Sequence, residues 1–314
     1  MSHTMWRLAP AKINLYLGVH EGVDGDGYHR VDSIMAPVAL CDLVRLELND
    51  SGRTLVEFEG DDVAGIPANN TVVAAMRGMV AAFGRDAGMH VVVRKRVPAQ
   101  SGLGGASSDA AVAMLALCDA WGIDASDERV AAVARSVGAD VPFFLTMVSG
   151  LFVGRGDVLE REYPGVGGED VVLVVPPSGV STPAAYAEFD RIAPERGELG
   201  TLDARLRDGD LAGALSLMSN NLEPVACNLV AGMRELLAWM SDADGVRRAM
   251  LTGSGSCVFA FVDGHGAAEA LCQAARERGL WACATHVLTG EEIEGVLRPH
   301  GVDVTFLADA HNGR

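Results

Sequence analysis

The chain has 314 residues, 49% hydrophobic and 21% charged, so it is long and apolar enough to bury a sizeable core. That length allows one large domain or two ordinary ones. The formal net charge of −17 argues against sequence-independent nucleic-acid binding, because such binding needs a positive surface that displaces counterions. An anionic ligand would need a local positive site.

The spacing of the cysteines and the distribution of apolar residues indicate the cellular compartment of the protein. The six cysteines show no CxxC or CxxH spacing and most lie among apolar neighbours, which predicts buried reduced thiols and neither a disulfide framework nor a zinc site. We find no secretory signal, and no stretch approaches the roughly 18 apolar residues of a membrane span. We therefore expect a cytoplasmic protein without a membrane partner.

The first half of the chain mixes predicted strands and helices. Alternating or β-rich runs predict strands in "AKINLYLGV", "SIMAPVALCDLVRLELN", "TLVEFEG" and "MHVVVRKRV". The Gly/Asp-rich segment "HEGVDGDGYHRVD" connects the first two. Helical spacing predicts helices in "NNTVVAAMRGMVAAFGRD", which has an Asn at its cap position, and in "ASSDAAVAMLALCDAWG" and "SDERVAAVARSVG". We expect Ser126 to cap the last helix and Gly138 to end it.

The second half begins with short β segments in "GLFVGRGDVLERE" and "DVVLVVPP". A helical region is predicted from "STPAAYAEFDR" to about Met240, followed by strand, glycine turn and strand in "AMLTGSGSCVFAFVD". A helix, "AAEALCQAARERG", and a strand, "LWACATHVLTG", come next, whereas the pattern places no element in residues 300–314. The Gly/Pro-rich "REYPGVGGED" predicts a domain boundary, with domains at 1–165 and 166–314.

The stretch "VPAQSGLGGASSDAA" joins a predicted strand to a helix through clustered glycines. Glycine lets the backbone approach a ligand, and the unpaired N–H groups and dipole of a helix start attract anions. Ser107 and Ser108 supply hydroxyls where a phosphate or its Mg²⁺ would lie. A tight turn with a Ser cap would explain the stretch equally well, since glycine loops alone are weak signals. It is neither a Walker loop nor a dinucleotide fingerprint.

Three motifs together resemble the GHMP kinases, the family of galactokinase, homoserine kinase and mevalonate kinase. They are "APAKINLYL", "PAQSGLGGASSDAA" and "LTGSGSCVFAF", in the family's order and spacing over residues 9 to about 263. The resemblance implies an α+β fold of two domains, an N-terminal one like ribosomal protein S5 and a ferredoxin-like C-terminal one. The active site would lie in the cleft between them.

Within the family, "DGYHRVDSI" and "VGADVPFF" most resemble the branch that acts on a cytidylyl-linked alcohol in isoprenoid precursor synthesis. The resemblance implies transfer of the ATP γ-phosphate to the 2-hydroxyl of that substrate, with Mg²⁺ held mainly by the phosphates. A mevalonate- or homoserine-type acceptor, or a non-catalytic nucleotide sensor on the same fold, are the alternatives. The sequence does not indicate an oligomeric partner.

The resemblance implies that Asp140 accepts the proton of the acceptor hydroxyl and that Lys12 pairs with it. By itself Asp140 reads as a turn residue and Lys12 as a solvated charge, although only two lysines occur in the chain. Asn14 lies two residues beyond Lys12, on the same face of a strand, and the family suggests that it contacts substrate.

On the substrate side the family implies a set of contacts around the cytosine ring and the reacting end. Tyr28, His29 and Tyr186 offer stacking surfaces and polar edges that suit a base, although each tyrosine could equally be a core or surface aromatic. The remaining contacts implied are Thr182, Gly253, Ser254 and Gly255, the last three in what could also be a simple hairpin turn.

On the nucleotide side the family implies contacts from Asn70 and Lys95, with Arg94 and Arg96 as alternatives to Lys95. A solvated strand edge would explain the basic residues equally well. The phosphate-binding residues implied are Pro98, Ala99, Gln100, Ser101, Gly102, Leu103, Gly104, Gly105, Ala106, Ser107 and Ser108. The family more often has Gly at positions 100 and 101. Asp109, often Asn in the family, is expected in the first helical turn, where the dipole favours an acid.

Overall fold

The computed structural model describes residues 5–60, 63, 65–85 and 88–300. The described residues form eleven strands and eleven α-helices. The strands are β1 Trp6–Val19, β2 Val31–Asn49, β3 Thr54–Glu59, β4 Gly88–Arg94, β5 Gly150–Val153, β6 Val158–Glu162, β7 Asp170–Val175, β8 Ser219–Asn220, β9 Val246–Leu251, β10 Val258–Val262 and β11 Trp281–His286. The helices are α1 Thr71–Phe83, α2 Gly105–Trp121, α3 Glu128–Val137, α4 Val141–Thr146, α5 Thr182–Ile192, α6 Leu199–Arg207, α7 Leu211–Ala214, α8 Glu223–Leu229, α9 Met233–Ser241, α10 His265–Glu277 and α11 Gly290–Leu297.

Seven strands form the first sheet, in the order β3-β4-β2-β1-β8, with β5 bonded to β2 and β6 to β5. Strands β1 and β2 are antiparallel, and their register shifts once between Pro10 and Ala11 and again between Asn14 and Tyr16. Such bulges bend a strand and re-aim its side chains. Helices α1 to α4 cover one face of this sheet with a core rich in Met, Val and Phe.

The second sheet has four antiparallel strands in the order β11-β7-β10-β9. The chain order β7, helices, β9, β10, α10, β11 is that of a ferredoxin-like unit. Both faces of β7 are buried. Val171 and Leu173 pack towards the first sheet, whereas Val172 and Val174 pack against the helices on the other side. The mixed α+β fold inferred from the motifs is confirmed.

Several local expectations can be compared with the structure. The cysteines are all free and mostly buried, as predicted. Asp127 caps α3 by accepting a hydrogen bond from the Arg129 N–H, so the Ser126 cap was wrong; Ser126 instead bonds Asp124. The helical region before Met240 is interrupted by β8, which pairs with β1. None of the described helices is long and apolar enough to cross a membrane.

The boundary at 165/166 falls in the connection between β6 and β7, at the passage from one sheet to the other. As a domain boundary it stays a prediction, because β8 from the later half of the chain joins the first sheet. Residues 301–314, for which no element was predicted, lie outside the described residues.

Candidate functional site

Two glycine-rich connections meet where the sheets adjoin. The first glycine loop, residues 98–108, runs from the end of β4 into α2, and the second glycine loop, residues 252–255, joins β9 to β10. A Cβ atom on Gly102 would lie 2.3 Å from the carbonyl oxygen of Thr252. Gly102 and Gly253 have φ values of +79° and +59°, which side chains rarely adopt. Glycine is therefore required for the loops to touch.

Helix α2 begins without a side-chain cap. Its N-cap residue is Gly104, with φ +76°, and Leu103 just before it accepts a hydrogen bond of 2.9 Å from the Lys12 N–H. Without a capping side chain, the first-turn N–H groups and the positive end of the helix dipole can bind an anion. Ser107 is half-buried on this turn, and Ser108 is fully buried.

Gln100 has a φ of +52°, in the region that glycine adopts without cost. This explains why glycine is favoured at that position in the resembled motif. Ser101 is buried and its hydroxyl donates a 2.7 Å hydrogen bond to the Pro98 carbonyl, which closes the turn at the start of the loop. Of the other loop residues, Ala99 and Ala106 are exposed, whereas Leu103 is in the core.

Lys12 lies on β1 between the two glycine loops. A Cβ on Gly104 would be 3.1 Å from the Lys12 Cγ, and one on Gly253 would be 3.3 Å from its Nζ. The Nζ atom lies 3.8 Å from Asp140 Oδ2 and donates to Asn14 Oδ1 at 2.6 Å. Burial lowers the pKa of this ammonium, while the Asp140 carboxylate opposes that shift.

Asp140 occupies the N-cap position of the short helix α4, but its side chain makes no capping hydrogen bond. The helix is begun instead by Pro142 in its first turn, whose ring sets the backbone for a helix. The Asp140 carboxylate remains 37% exposed and faces the buried Lys12 ammonium. A solvent-accessible carboxylate beside a buried ammonium can accept a proton from a hydroxyl placed between them.

Asn14 connects Lys12 to the second glycine loop. Its Oδ1 accepts hydrogen bonds from Lys12, from the Thr252 hydroxyl at 3.0 Å and from the Gly253 N–H at 2.8 Å. Its Nδ2 donates to the Ser33 hydroxyl at 2.8 Å. The expectation that Lys12 and Asn14 share one face is confirmed. The substrate contact of Asn14 stays a prediction, because these bonds already engage its amide.

An aromatic pair includes Tyr186, on which the charge of Asp140 acts. The rings of His29 and Tyr186 are stacked, with centroids 5.3 Å apart and an interplanar angle of 28°. Burial raises the pKa of Tyr186 to about 12, and the charge of Asp140 adds to the shift. The two ring nitrogens of His29 face the carbonyl of His20 at 2.9 Å and a carboxylate oxygen of Asp190 at 3.3 Å. The structure thus brings His29 and Tyr186 together.

Tyr28 has a different environment from its neighbour. It is 55% exposed, and the Arg155 guanidinium carbon lies 4.0 Å from its ring centroid. His29 and Arg155 also line an open cavity of about 520 Å³ formed by the β1–β2 and β5–β6 connections. At the second glycine loop, the Ser254 hydroxyl lies 3.4 Å from that of Thr182, the first residue of α5. Thr182 and Ser254 are therefore neighbours, and their substrate contacts stay predictions.

The two polar residues expected near adenine have structural partners. Asn70 caps α1 by accepting from the Val73 N–H at 3.1 Å, and its Nδ2 donates to the Pro67 carbonyl. The Lys95 ammonium is mostly buried and contacts the carboxylates of Asp42 and Asp109. Their adenine contacts stay predictions. The first-turn position expected for Asp109 was wrong, because this carboxylate is buried beyond the first turn, against Lys95.

Sequence reasoning missed several residues that hold these groups. Thr252, Ser33 and Asn220 are buried polar residues of the network; Asn220 donates to the carbonyls of Leu251 and Gly253. No periodicity distinguishes them from ordinary strand residues. Asp190 could have been found, since it lies four residues after Tyr186 and hence on the same face of α5. No group of three or more His, Cys, Asp or Glu residues arranged for a metal occurs in the described part of the chain.

Comparison with known proteins agrees with this geometry. Residues 70–147 match the family model of the GHMP kinases N terminal domain, and residues 202–279 match that of the GHMP kinases C terminal domain. The first match contains the first glycine loop and Asp140, and the second contains the second glycine loop.

Two relatives that match most of the chain have the same enzyme name. The chain is 36% identical over 267 residues to 4-diphosphocytidyl-2-C-methyl-D-erythritol kinase of Acidovorax ebreus, covering 80% of this chain and 85% of the relative. It is 34% identical over 287 residues to the enzyme of the same name from Citrifermentans bemidjiense, covering 90% and 98%. A crystal structure of 4-(cytidine 5'-diphospho)-2C-methyl-D-erythritol kinase superimposes with a TM-score of 0.74 at 30% identity, covering 91% of this chain and all of that one. The chain belongs to the GHMP kinase family.

Proposed function

We propose that the protein is an ATP-dependent kinase that phosphorylates the 2-hydroxyl of 4-diphosphocytidyl-2-C-methyl-D-erythritol, a step of isoprenoid precursor biosynthesis. The relatives that match most of the chain support the substrate. The observation that carries the proposal is the 3.8 Å separation of Lys12 and Asp140 beside two touching glycine loops. A phosphate chain on the first loop would present its terminal group to an alcohol between these two charges.

The proposed mechanism depends mainly on positioning, because phosphoryl transfer has a loose transition state with little covalent chemistry for the protein. The start of α2 binds the phosphates through its N–H groups. Asp140 accepts the proton of the acceptor hydroxyl as the bond from that oxygen to the γ-phosphorus forms and the bond from the γ-phosphorus to ADP breaks, so that ADP leaves. The Lys12 ammonium stabilises the negative charge that develops on the oxygen, and burial strengthens this effect.

Mg²⁺ fits the donors at this site when the phosphates supply most of its ligands. The described residues contain no cluster of three metal-binding side chains, and the half-buried Ser107 hydroxyl on the first turn of α2 offers an oxygen. When bound, Mg²⁺ would neutralise negative charge on the phosphates, and Ser107 is the protein residue that would help to hold it. The protein's own part is to hold those phosphates in line with the acceptor.

The stacked His29 and Tyr186 form the proposed binding surface for the cytosine ring. Aromatic faces bind bases by stacking, and Tyr186 is close enough to Asp140 for its pKa to respond to that charge. A base held there would direct its attached alcohol towards Asp140. Mevalonate and homoserine carry no base and would leave this surface unused.

The experiment is a coupled assay of ADP release by the purified chain with the cytidylyl alcohol, mevalonate and homoserine in parallel. Of the three alcohols, we expect only the cytidylyl alcohol to be turned over. Equal or faster turnover with mevalonate or homoserine would contradict the proposed substrate. Tight ATP binding without ADP release from any alcohol would instead indicate a nucleotide sensor. Omitting Mg²⁺ should abolish turnover.

A further inference from the structure

Three charged side chains lie together at the base of the first glycine loop. Lys95 lies three residues before the loop, Asp109 directly follows it, and Asp42 comes from the neighbouring strand β2. The Lys95 ammonium contacts Asp42 and lies 2.7 Å from Asp109 Oδ2. The two Asp residues are buried, at 0% and 1% exposure. We refer to these three residues as the loop clasp, since they join the two stems of the loop.

The clasp also holds the backbone that enters the loop. The second carboxylate oxygen of Asp42 accepts hydrogen bonds from the N–H groups of Arg96 at 2.5 Å and Val97 at 2.9 Å. A Cβ on Gly105 would lie 3.3 Å from the Lys95 ammonium, so this charge lies directly against the first turn of α2. Asp42 thus holds the segment that enters the loop, and Lys95 joins that segment to the exit helix through Asp109.

The charges within the clasp depend on one another. Burial is the main cause that raises the pKa of Asp109 well above its usual range; the charge of Asp42 adds to the shift, and the charge of Lys95 opposes it. Burial would lower the pKa of Lys95, but Asp109 and Asp42 outweigh it and keep the ammonium charged. Removing one member of such a buried group leaves the others uncompensated. The Lys95 ammonium is therefore engaged in the contacts with Asp42 and Asp109.

We propose that Lys95 is a positioning residue of the ATP site, which acts by clasping the stems of the first glycine loop to Asp42 and Asp109, and that it does not contact adenine. The inference rests on the proposed function in one respect, that this loop binds the ATP phosphates. A preorganised loop keeps its N–H groups converged on the phosphates, and displacing a stem misplaces all of them together.

The test compares ATP with inorganic tripolyphosphate, which has no base, by titration calorimetry of the full chain. In Asp109→Ala the bond between the stems is lost, and the Kd of both probes should rise about tenfold. Asp109→Asn retains an oxygen acceptor for Lys95, so its Kd values should return towards those of the parent. The double variant Lys95→Met, Asp109→Asn removes the ammonium together with the charge of one of its two carboxylate partners, which guards against the misfolding expected of Lys95→Met alone. In it, the binding of both probes should again weaken by one common factor.

A matched control is Asp203→Ala, which removes a mostly buried carboxylate bonded to Arg161 and Tyr163 away from the loop. It should lower the melting temperature without changing either Kd. An adenine contact would weaken ATP alone in the double variant, and that result would overturn the proposal. An Asp109→Ala variant that binds both probes like the parent would overturn it too. A parent that binds ATP but phosphorylates no alcohol contradicts the proposed function only, whereas a parent that binds no ATP contradicts both.

Discussion

Replacing Asp140 by Asn removes one negative charge and the proposed proton acceptor while preserving shape. The Coulomb attraction lost at 3.8 Å from Lys12 is about 1 kcal/mol at the dielectric constant of water and about 4 kcal/mol at a value of 20. Because Asp140 is 37% exposed, solvent screening favours the lower end of that range. Loss of the proton acceptor adds to it, and we expect kcat to fall by about 10²–10⁴, the range typical of acid–base groups.

The assay is coupled ADP release with the cytidylyl alcohol, together with the Kd of ATP by calorimetry. The Kd should remain within about twofold of the parent, because Asp140 makes no bond to the first glycine loop among those described. The control is Asp208→Asn, the same atomic change at the exposed C-cap of α6, which should leave kcat unchanged. Turnover of Asp140→Asn at the parent rate would refute the assignment of Asp140 as proton acceptor.

Three further substitutions test other parts of the site. Tyr186→Ala should weaken binding of the cytidylyl alcohol by about 1–3 kcal/mol, the energy of stacking one base, with the Kd of ATP unchanged; an equal loss for both ligands would contradict the separation of the two sides. Lys12→Met should abolish most turnover yet raise the melting temperature at neutral pH. Burial lowers the pKa of Lys12 in the folded protein below its unfolded value of 10.5, so the free energy of unfolding linked to this group rises with pH between the two pKa values. Melting temperatures measured from pH 7 to 10 should therefore show this rise in the parent and lack it in the variant. Gly102→Ala should cost about 1–2 kcal/mol from its positive φ alone, and also raise KM for ATP through the clash with Thr252. The control is Gly52→Ala, where φ is +65° and the space around the residue is open; it should lose stability without any change in KM for ATP.

Much of the fold could be predicted from local patterns. Alternation of apolar residues located most strands, and helical spacing with an Asn cap located α1. The errors arose where two local signals competed or were too short to detect. Ser126 and Asp127 are both good caps, and only the path of the chain into α3 decides for Asp127. Strand β8 has two residues, too few for any periodicity, and exists because β1 lies beside it.

In the site, too, some features could be predicted from local patterns and others could not. By itself the sequence determined the ingredients: two glycine-rich turns, the first of them at a helix start, and Lys12 and Asn14 on one face of a strand. All of these depend on residues close together in the chain, where spacing fixes geometry. Their ordered motifs also indicated the family.

Only the tertiary structure decided which groups meet. Lys12 and Asp140 are separated by 128 positions, and Gly102 and Thr252 by 150, so no local spacing could show that they are in contact. The same holds for Lys95, which looked like a basic strand end and is a buried cation held by two carboxylates. Burial decides whether a charge is solvated, paired or reactive, and burial is a property of the packed sheets and helices around it.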